Sequence, residues 1–353
     1  MKKIFYNALS IILSIISLYS CTDKNIVSNK TAKEFIISEY YQTTANEADN
    51  VDSPTFWKLN DKTAWLITTA KATDRLIVHD AATGNFLKYI GASGNEPLQF
   101  SRPNGIFAID SLLFIVERDN ARLQILKLPD FSFVTFIGIG DLIKPYGIFV
   151  HKNEKSYNIY VTDNYETADE QIPIDKDLGK RIHLYEMKFE NNQFQSKLIK
   201  KFGDTAGNGV LRIVESINGD SENNNLLIAE EKEDETCIKI YNFDGVFKNK
   251  IVGRGLFKTQ VEGIALYKEK DNQGFWVATD QDSASNTFHF FDRKTFEHIG
   301  FFRSTKTTNT DGVWLTQESL TNFPKGAFFA VNNDKNISSF NLSEILKRVK
   351  LSD

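Results

Sequence analysis

Short apolar stretches recur along the chain about 50 residues apart, with one longer interval of about 70 residues. Each stretch ends in a polar or acidic residue, and a polar turn and an alternating apolar strand follow it. The six stretches are 64–69, 113–117, 158–163, 226–231, 275–280 and 327–332. A repeat of this length is typical of propeller blades, whereas a β-sandwich gives no reason for sixfold recurrence. We therefore predict an all-β fold, a six-bladed β-propeller of four-stranded antiparallel blades.

A second recurring segment, which we interpret as the inner strand of a blade, precedes each stretch. It carries one polar residue directly before a turn. In a propeller the innermost strand of every blade lines the central channel, so equivalent positions in successive blades form one ring. Four of the predicted ring residues are carboxylates and none is basic. In chain order the ring residues are Asp52 beside Ser53, Asn104, Tyr146, Glu215, Glu262 and Asp311.

Carboxylates at the mouth of one channel repel each other unless a cation or raised pKa values relieve the repulsion. Oxygen ligands without a nearby His or Cys indicate a hard cation, and loop-borne carboxylates and carbonyls suit Ca²⁺ better than Mg²⁺. Glu230, Glu231 and Gln281 at neighbouring strand ends would complete such a site. The structural alternative is that these side chains cap strand ends, and only their recurrence in register favours the cation site.

Basic residues follow the first two apolar stretches, and Lys71, Arg118 and Arg122 are the candidates for binding phosphate. On the rim that carries the cations, Arg would bind phosphate oxygens bidentately and Lys as a point charge. On surface loops such side chains are usually only solvated, so both interpretations stay open.

The N-terminus has the pattern of an export signal. Lys2 and Lys3 precede an apolar run over residues 4–18, and Leu18-Tyr19-Ser20-Cys21 resembles the cleavage site of a bacterial lipoprotein. We expect residues 1–20 to be a signal peptide, Cys21 to be lipidated, 21–38 to be a mobile tether and 39–353 to be a single propeller domain. The alternative, an uncleaved membrane anchor, needs a span of about 20 residues, and this run is shorter.

Composition and charge narrow the function. The net charge of −4 argues against nucleic acid as a partner, and 41% apolar with 25% charged residues is ordinary for a globular protein. Of the two cysteines, Cys21 would carry lipid, so Cys237 has no disulfide partner. No HExxH, G-x-S-x-G or Walker motif is present. We expect a monomer that is exported and attached to a membrane only through Cys21, in the periplasm or at the outer membrane or cell surface.

The ordered motifs resemble the β-propeller phytase family, six-bladed Ca²⁺-dependent phosphatases that act on myo-inositol hexakisphosphate. The motifs that carry the resemblance are Asp52-Ser53-Pro54-Thr55-Phe56-Trp57, Thr68-Thr69-Ala70-Lys71, Pro145-Tyr146-Gly147, Leu227-Ile228-Ala229-Glu230-Glu231, Val261-Glu262-Gly263-Ile264, Asp280-Gln281, Asn309-Thr310-Asp311-Gly312-Val313 and Phe323-Pro324-Lys325-Gly326.

The resemblance implies which residues bind metal and substrate. The implied calcium ligands are Asp52, Tyr146 through its carbonyl, Glu215, Glu231, Glu262, Gln281 and Asp311. Lys71 and Arg118 match phosphate-binding positions, and hydrolysis is expected to depend on Glu215, Glu262 and Asp311. Bridging Ca²⁺ ions would lower the pKa of a water that attacks phosphorus, while metals and basic side chains neutralise the phosphoryl oxygens.

The chain also departs from the family pattern. Ser53, Gln260 and Ala72 stand where the family has further acidic or basic residues, and a basic position near the third blade falls at Asp163-Asn164. Residues 94–106 resemble instead the linker of NHL-type propellers, which mostly bind partners. The leading hypothesis is thus a 3-phytase-like phosphomonoesterase. The alternatives are a non-catalytic, lipid-anchored propeller acting as a binding or scaffold module, and a lactonase-type metal hydrolase.

Overall fold

The computed structural model describes residues 33–284 and 286–349. The predicted signal peptide, Cys21 and residues 22–32 of the predicted tether lie outside the described residues. Within the described ranges, no helix is both long enough and apolar enough to cross a membrane.

The described chain begins with two strands, β1 (Lys33–Ile37) and β2 (Tyr41–Gln42). Blade 1 contains β3 (Val51–Asn60), β4 (Thr63–Ala70), β5 (Arg75–Asp80) and β6 (Phe86–Ile90). The short strands β7 (Ala92–Ser93) and β8 (Gln99–Phe100) then pair with each other. Blade 2 contains β9 (Pro103–Ile109), β10 (Leu112–Glu117), β11 (Arg122–Lys127) and β12 (Ser132–Ile137).

The next blades repeat the same antiparallel order. Blade 3 contains β13 (Pro145–Lys152), β14 (Ser156–Asp163), β15 (Ile182–Glu190) and β16 (Gln193–Phe202). Blade 4 contains β17 (Ile217–Asp220), β18 (Asn225–Glu230), β19 (Cys237–Tyr241) and β20 (Phe247–Val252). Blade 5 contains β21 (Gln260–Lys268), β22 (Gly274–Gln281), β23 (Thr287–Asp292) and β24 (His298–Ser304).

Blade 6 joins the two ends of the propeller. It contains β25 (Val313–Thr316), β26 (Ala327–Asn332) and β27 (Asn336–Asn341), and β2 from the N-terminal side adds its fourth, outermost strand. The first strand of each blade contacts the first strand of the next, and β25 contacts β3, which closes the ring. The predicted fold, an all-β six-bladed propeller, is confirmed.

One boundary of the sequence analysis needs correction, because residues 33–37 belong to the fold and not to a tether. Strand β1 pairs in parallel with β24, from Lys33 opposite Gly300 to Ile37 opposite Ser304, and so adds a fifth strand to blade 5. The side chain of Ile37 is buried in the apolar layer between blades 5 and 6. The segment 21–38 is polar as a whole, which hid this short apolar strand at its end.

The core consists of six apolar clusters, one between each pair of neighbouring blades. Between blades 5 and 6, Phe288 stacks on Phe302 with ring centroids 4.6 Å apart and meets Phe328 edge-on at 5.3 Å. Each such buried ring contributes roughly 2 to 3 kcal/mol of transfer free energy. The apolar residues that alternate along the strands therefore hold the blades at fixed positions around the channel.

Few elements lie outside the blades. The chain between β14 and β15, where the sequence has its long polar insertion, is a loop with one 3₁₀ helix, Asp175–Asp177. Two further 3₁₀ helices are Gly207–Gly209 and Lys270–Asn272. A single α-helix in the described ranges, α1 (Leu342–Arg348), follows blade 6.

Candidate metal centre

The start of each inner strand brings one ring residue to the same mouth of the channel. A small pocket of about 280 Å³ lies there. Five of the six predicted ring residues line it, namely Asp52, Tyr146, Glu215, Glu262 and Asp311. The sixth, Asn104, is fully buried, and neither its amide nitrogen nor its amide oxygen has a hydrogen-bond partner among the described residues.

Close approach of neighbouring inner strands makes this convergence possible. A Cβ atom on Gly147 would lie 2.0 Å from the carbonyl oxygen of Glu215, and one on Gly312 would lie 2.6 Å from that of Asp52. Any larger residue at either position would force the strands apart. The glycine that follows a ring residue therefore lets the next ring residue lie beside it.

Threonines near the ends of the second strands hold the ring backbone in place. Thr162 Oγ1 accepts a hydrogen bond from the Gly147 amide at 2.7 Å and donates one to the Glu215 carbonyl at 3.0 Å. In blade 1, Thr69 likewise accepts from Ser53 and donates to the carbonyl of Asn104. The sequence analysis missed these positioning residues, although the recurrence of Thr near the ends of the second strands was a visible signal.

Three glutamates at this end of the channel are best suited to hold a metal ion, and two of them, Glu215 and Glu262, line the pocket. Oxygen atoms from the carboxylates of Glu215, Glu231 and Glu262 all lie within 4.8 Å of one another. Glu231 is 2% exposed and Glu262 is 6% exposed. The Oε1 atom of Glu231 is buried and has no hydrogen-bond partner within residues 33–284 and 286–349. A buried carboxylate oxygen without a donor is costly, so this cluster fits a bound cation.

The electrostatics of the cluster agree with this interpretation. Burial, and next repulsion from Asp52, raises the pKa of Glu215 to about 8. Burial followed by repulsion from Glu262 raises the pKa of Glu231 well above its usual value, and burial followed by repulsion from Glu215 does the same for the pKa of Glu262. Without a cation, the three side chains therefore hold protons to higher pH than ordinary carboxyl groups.

Two aspartates form the other part of the pocket, and Lys71 lies between them. The Lys71 ammonium is 2.7 Å from Asp52 Oδ1 and 3.1 Å from Asp311 Oδ2. Burial opposes the charge of Lys71, but Asp52 and Asp311 raise its pKa above the usual value, so the side chain stays protonated. Burial raises the pKa of Asp311 to about 7, although Lys71 opposes that shift.

Gln281 and Tyr146 both hydrogen bond to carboxylates of the pocket through their side chains. Gln281 donates its side-chain amide to Asp311 Oδ1. The Tyr146 carbonyl lies against Gly105 of the neighbouring blade, where a Cβ atom would be 2.5 Å away. Its side chain hydrogen bonds to Glu215, and burial, then the charge of Glu215, raises the pKa of the Tyr146 hydroxyl. The side chain of Tyr146 thus contacts the carboxylate of Glu215, and calcium binding by its carbonyl stays a prediction.

Adjacent acidic residues at the end of β18 have opposite surroundings, because successive side chains of a strand point to opposite faces. Glu231 contributes to the glutamate cluster. Glu230 instead accepts hydrogen bonds from the backbone amides of Arg212 and Ile213 and from the buried ammonium of Lys239 at 3.0 Å. Glu230 therefore caps the segment that leads to the ring, and the capping alternative is the correct one for this residue.

The same capping arrangement recurs in the two neighbouring blades. Asp163 accepts from the backbone amides of Ile143 and Lys144, and Asp280 accepts from those of Lys258 and Thr259. Each of these acids fixes the linker before the inner strand of its blade, so Asp280 does not replace a missing metal ligand.

Two of the three predicted phosphate-binding residues, Arg118 and Arg122, pair with acidic residues of their own blade. Arg122 is 5% exposed; its guanidinium binds Glu117 and the carbonyl of Asn95 and lies over the ring of Phe136. The structure thus gives Arg122 a structural role, because its donors are used inside the blade. Arg118 occupies the position after β10 that Lys71 has after β4, but it pairs with Asp119 at 2.7 Å.

The glutamate cluster and its neighbours fall in the part of the chain that resembles a known family. Residues 200–350 match the phytase family model. The match covers less than half of the 353 residues and confirms for this part the resemblance to phytases predicted from the sequence. Inside the phytase match lie Glu215, Glu231, Glu262, Gln281 and Asp311, whereas Asp52, Lys71 and Tyr146 precede it.

The chain is also similar to solved structures at low sequence identity. A calcium-binding protein, regucalcin from Agrobacterium tumefaciens, has a TM-score of 0.51 and 11% identity over 88% of this chain and 97% of its own. A chain of the Nidogen/Laminin complex has a TM-score of 0.47 and 14% identity, covering 79% and 93% of the two chains. Hydrazine synthase of Kuenenia stuttgartiensis has a TM-score of 0.48 and 9% identity, covering 93% and 83%. No curated protein matches the chain.

Proposed function

We propose that the protein is a Ca²⁺-dependent phosphomonoesterase of phytase type that hydrolyses myo-inositol hexakisphosphate or a related phosphate ester. The observation that carries the proposal is the cluster of Glu215, Glu231 and Glu262, which each bring a carboxylate oxygen within 4.8 Å of the others, together with the buried Oε1 atom of Glu231, which has no donor among the described residues. The phytase match over residues 200–350 supports the reaction class.

The chemistry of the donor set fits calcium. All three glutamates offer oxygen, and no His or Cys belongs to this group, which suits a hard cation with flexible coordination. Glu215, Glu231 and Glu262 would hold the ion. Bound calcium would supply positive charge that acidifies a water and neutralises phosphoryl oxygens.

The chain's own side chains position the reactants. An ammonium group has three N–H donors, and Lys71 uses two of them on Asp52 and Asp311, so the third can donate to a phosphate oxygen. Tyr146 keeps its proton at neutral pH, since its pKa is raised, and its hydrogen bond orients the carboxylate of Glu215. Substrate phosphate would thus lie between the glutamate cluster and Lys71.

The proposal includes export. A lipid on Cys21 would attach the propeller to a membrane and leave the pocket open to soluble phosphate esters in the periplasm or outside the cell. Labelling with a radioactive fatty acid, compared with a Cys21→Ser variant, tests the lipidation: label on both proteins or on neither contradicts this part of the proposal.

Phosphate release measures the activity directly. We would strip metals from the purified full-length protein and titrate Ca²⁺ with inositol hexakisphosphate or an aryl phosphate as substrate. Calcium-dependent release that disappears in Glu262→Gln supports the proposal. The matched control is Glu269→Gln, since Glu269 is an exposed residue directly after the other end of the same strand β21. Its activity should equal that of the unchanged protein.

Absence of release at every Ca²⁺ concentration from folded protein would overturn the phosphatase proposal. The non-catalytic alternative, a propeller that binds partners, would then be favoured. Equal loss in both variants would show that the site has been assigned to the wrong mouth of the channel.

A further inference from the structure

The two ends of the pocket differ in how many of their carboxylate oxygens accept a hydrogen bond from the protein. At the aspartate end, all four carboxylate oxygens have a donor from the chain. Lys71 donates to Asp52 Oδ1 at 2.7 Å and to Asp311 Oδ2 at 3.1 Å. The Ser53 hydroxyl donates to Asp52 Oδ2 at 2.8 Å, and Gln281 donates to Asp311 Oδ1. Each of the four carboxylate oxygens at this end therefore already accepts a hydrogen bond from the chain.

The glutamate end shows the opposite pattern. Glu231 Oε1 is buried and has no donor among residues 33–284 and 286–349, although oxygens of Glu215 and Glu262 lie within 4.8 Å of the same carboxylate. A cationic side chain of the protein therefore pairs with the carboxylates at the aspartate end, whereas at the glutamate end one buried carboxylate oxygen has no donor among the described residues.

We propose that Lys71 is a permanent internal cation at the aspartate end. The pocket then takes a hard cation only at the glutamate end and holds substrate phosphate between that ion and the Lys71 ammonium. This inference rests on the proposed function and deepens it, because it divides the positive charge of the site between one metal ion and one lysine.

The surroundings of Lys71 favour this arrangement over a second metal ion. Its side chain is only 9% exposed, and the Asp52 side chain only 5%. A divalent cation between Asp52 and Asp311 would have to displace a buried ammonium that makes two charge-assisted hydrogen bonds, or bind beside it against like-charge repulsion. Ser53 and Gln281 also donate to the two aspartates, and these hydrogen bonds would have to break or rearrange before a metal ion could bind there.

Calcium stoichiometry tests the inference without any need for activity. Isothermal titration of the purified full-length protein with CaCl₂ should count about one ion fewer per protein for the unchanged chain than for Lys71→Met, which frees both aspartates. Lys71→Arg keeps the charge and should bind as many ions as the unchanged chain. Arg118→Met removes a cation from the equivalent position of the next blade and should also leave the count unchanged.

The outcomes separate this inference from the proposed function. Equal, non-zero counts for the unchanged chain and Lys71→Met overturn the role of Lys71 but leave the glutamate site intact. Absence of calcium binding by the unchanged chain overturns the metal site and this inference together. If Lys71→Arg or Arg118→Met binds an additional calcium ion, the inference is also overturned. The number of bound ions would then not depend on removing the positive charge between Asp52 and Asp311.

A second measurement decides the question if Lys71→Met does not fold. Crystals of the unchanged chain soaked in CaCl₂ should show an ion at the glutamates, with Lys71 still between Asp52 and Asp311. An ion between the two aspartates would overturn the inference.

Discussion

Replacing Glu231 by Gln should stabilise the calcium-free protein, which is the reverse of the usual effect of changing a buried, hydrogen-bonding residue. The substitution keeps the shape and removes one charge beside Glu215 and Glu262. Two charges 4.8 Å apart repel by about 3 kcal/mol at an effective dielectric constant of about 20. Since the raised pKa values reduce the charge that these carboxyl groups carry without a cation, the repulsion is partly relieved already, and we expect a gain of about 1 to 2 kcal/mol in the free energy of unfolding.

Calcium should reverse the order of stability. The unchanged protein gains binding free energy from the ion, whereas Glu231→Gln has lost a charged ligand and gains less. Thermal unfolding at pH 7.5, once with a chelator and once with CaCl₂, measures both effects. A change of about 1 kcal/mol corresponds to roughly 2 °C in a chain of this size.

The adjacent residue provides the control. Glu230→Gln should lower the free energy of unfolding with and without calcium by about 2 kcal/mol, because it removes one of the two carboxylates that pair with the buried ammonium of Lys239 and leaves only Glu235. Its calcium-induced shift should match that of the unchanged protein. If Glu231→Gln instead destabilises the chelated protein and keeps the full calcium shift, the glutamate cluster is not a metal site and the reasoning from repulsion is wrong.

Three further predictions concern pH, the ring backbone and blade 2. Folding raises the pKa of Glu215 from its ordinary value near 4.5 to about 8, so the folded state binds more protons than the unfolded state. The free energy of unfolding in chelator should therefore fall as the pH rises from about 5 to about 8. A free energy of unfolding that rises with pH over this range would contradict the prediction. Gly147→Ala should weaken calcium binding at least tenfold in titration calorimetry, since its Cβ would lie 2.0 Å from the Glu215 carbonyl oxygen. Gly179→Ala should bind calcium normally, because its Cβ would meet a threonine methyl group at 3.1 Å and a backbone oxygen only at 3.8 Å. Arg122→Met should lower the unfolding temperature but leave the KM for phosphate ester unchanged, and a raised KM would restore its predicted substrate role.

Much of the fold was predictable because each blade is a local unit. The six apolar stretches correspond to β4, β10, β14, β18, β22 and β26, and their spacing alone determines the number of blades. Strand β1 escaped prediction because it pairs with β24, and the residues of that partner strand lie more than two hundred positions later in the chain. A five-residue strand carries too little pattern to reveal such a partner.

The site was predictable only in part. Equivalent positions in the repeat indicated Glu215, Glu262 and Asp311, because a propeller places equivalent positions on one ring. The roles of neighbours such as Glu230 and Arg122 were not visible. Their hydrogen-bond partners lie on other strands and linkers, and composition does not say which buried acid has a donor.

By itself, the sequence determined a six-bladed propeller with acidic residues at one mouth of its channel, since both follow from periodic patterns within each repeat. Only the tertiary structure decided which of those acids are satisfied by donors from the chain. Glu230 and Glu231 are adjacent in the chain yet have opposite surroundings, and of these two only Glu231 has a buried oxygen without a donor among the described residues. Lys71 meets Asp311 across 240 residues of sequence, a contact that exists because closure of the ring brings blade 1 beside blade 6. Charge pairing over such distances depends on where the folded backbone places each atom, and no local pattern records it.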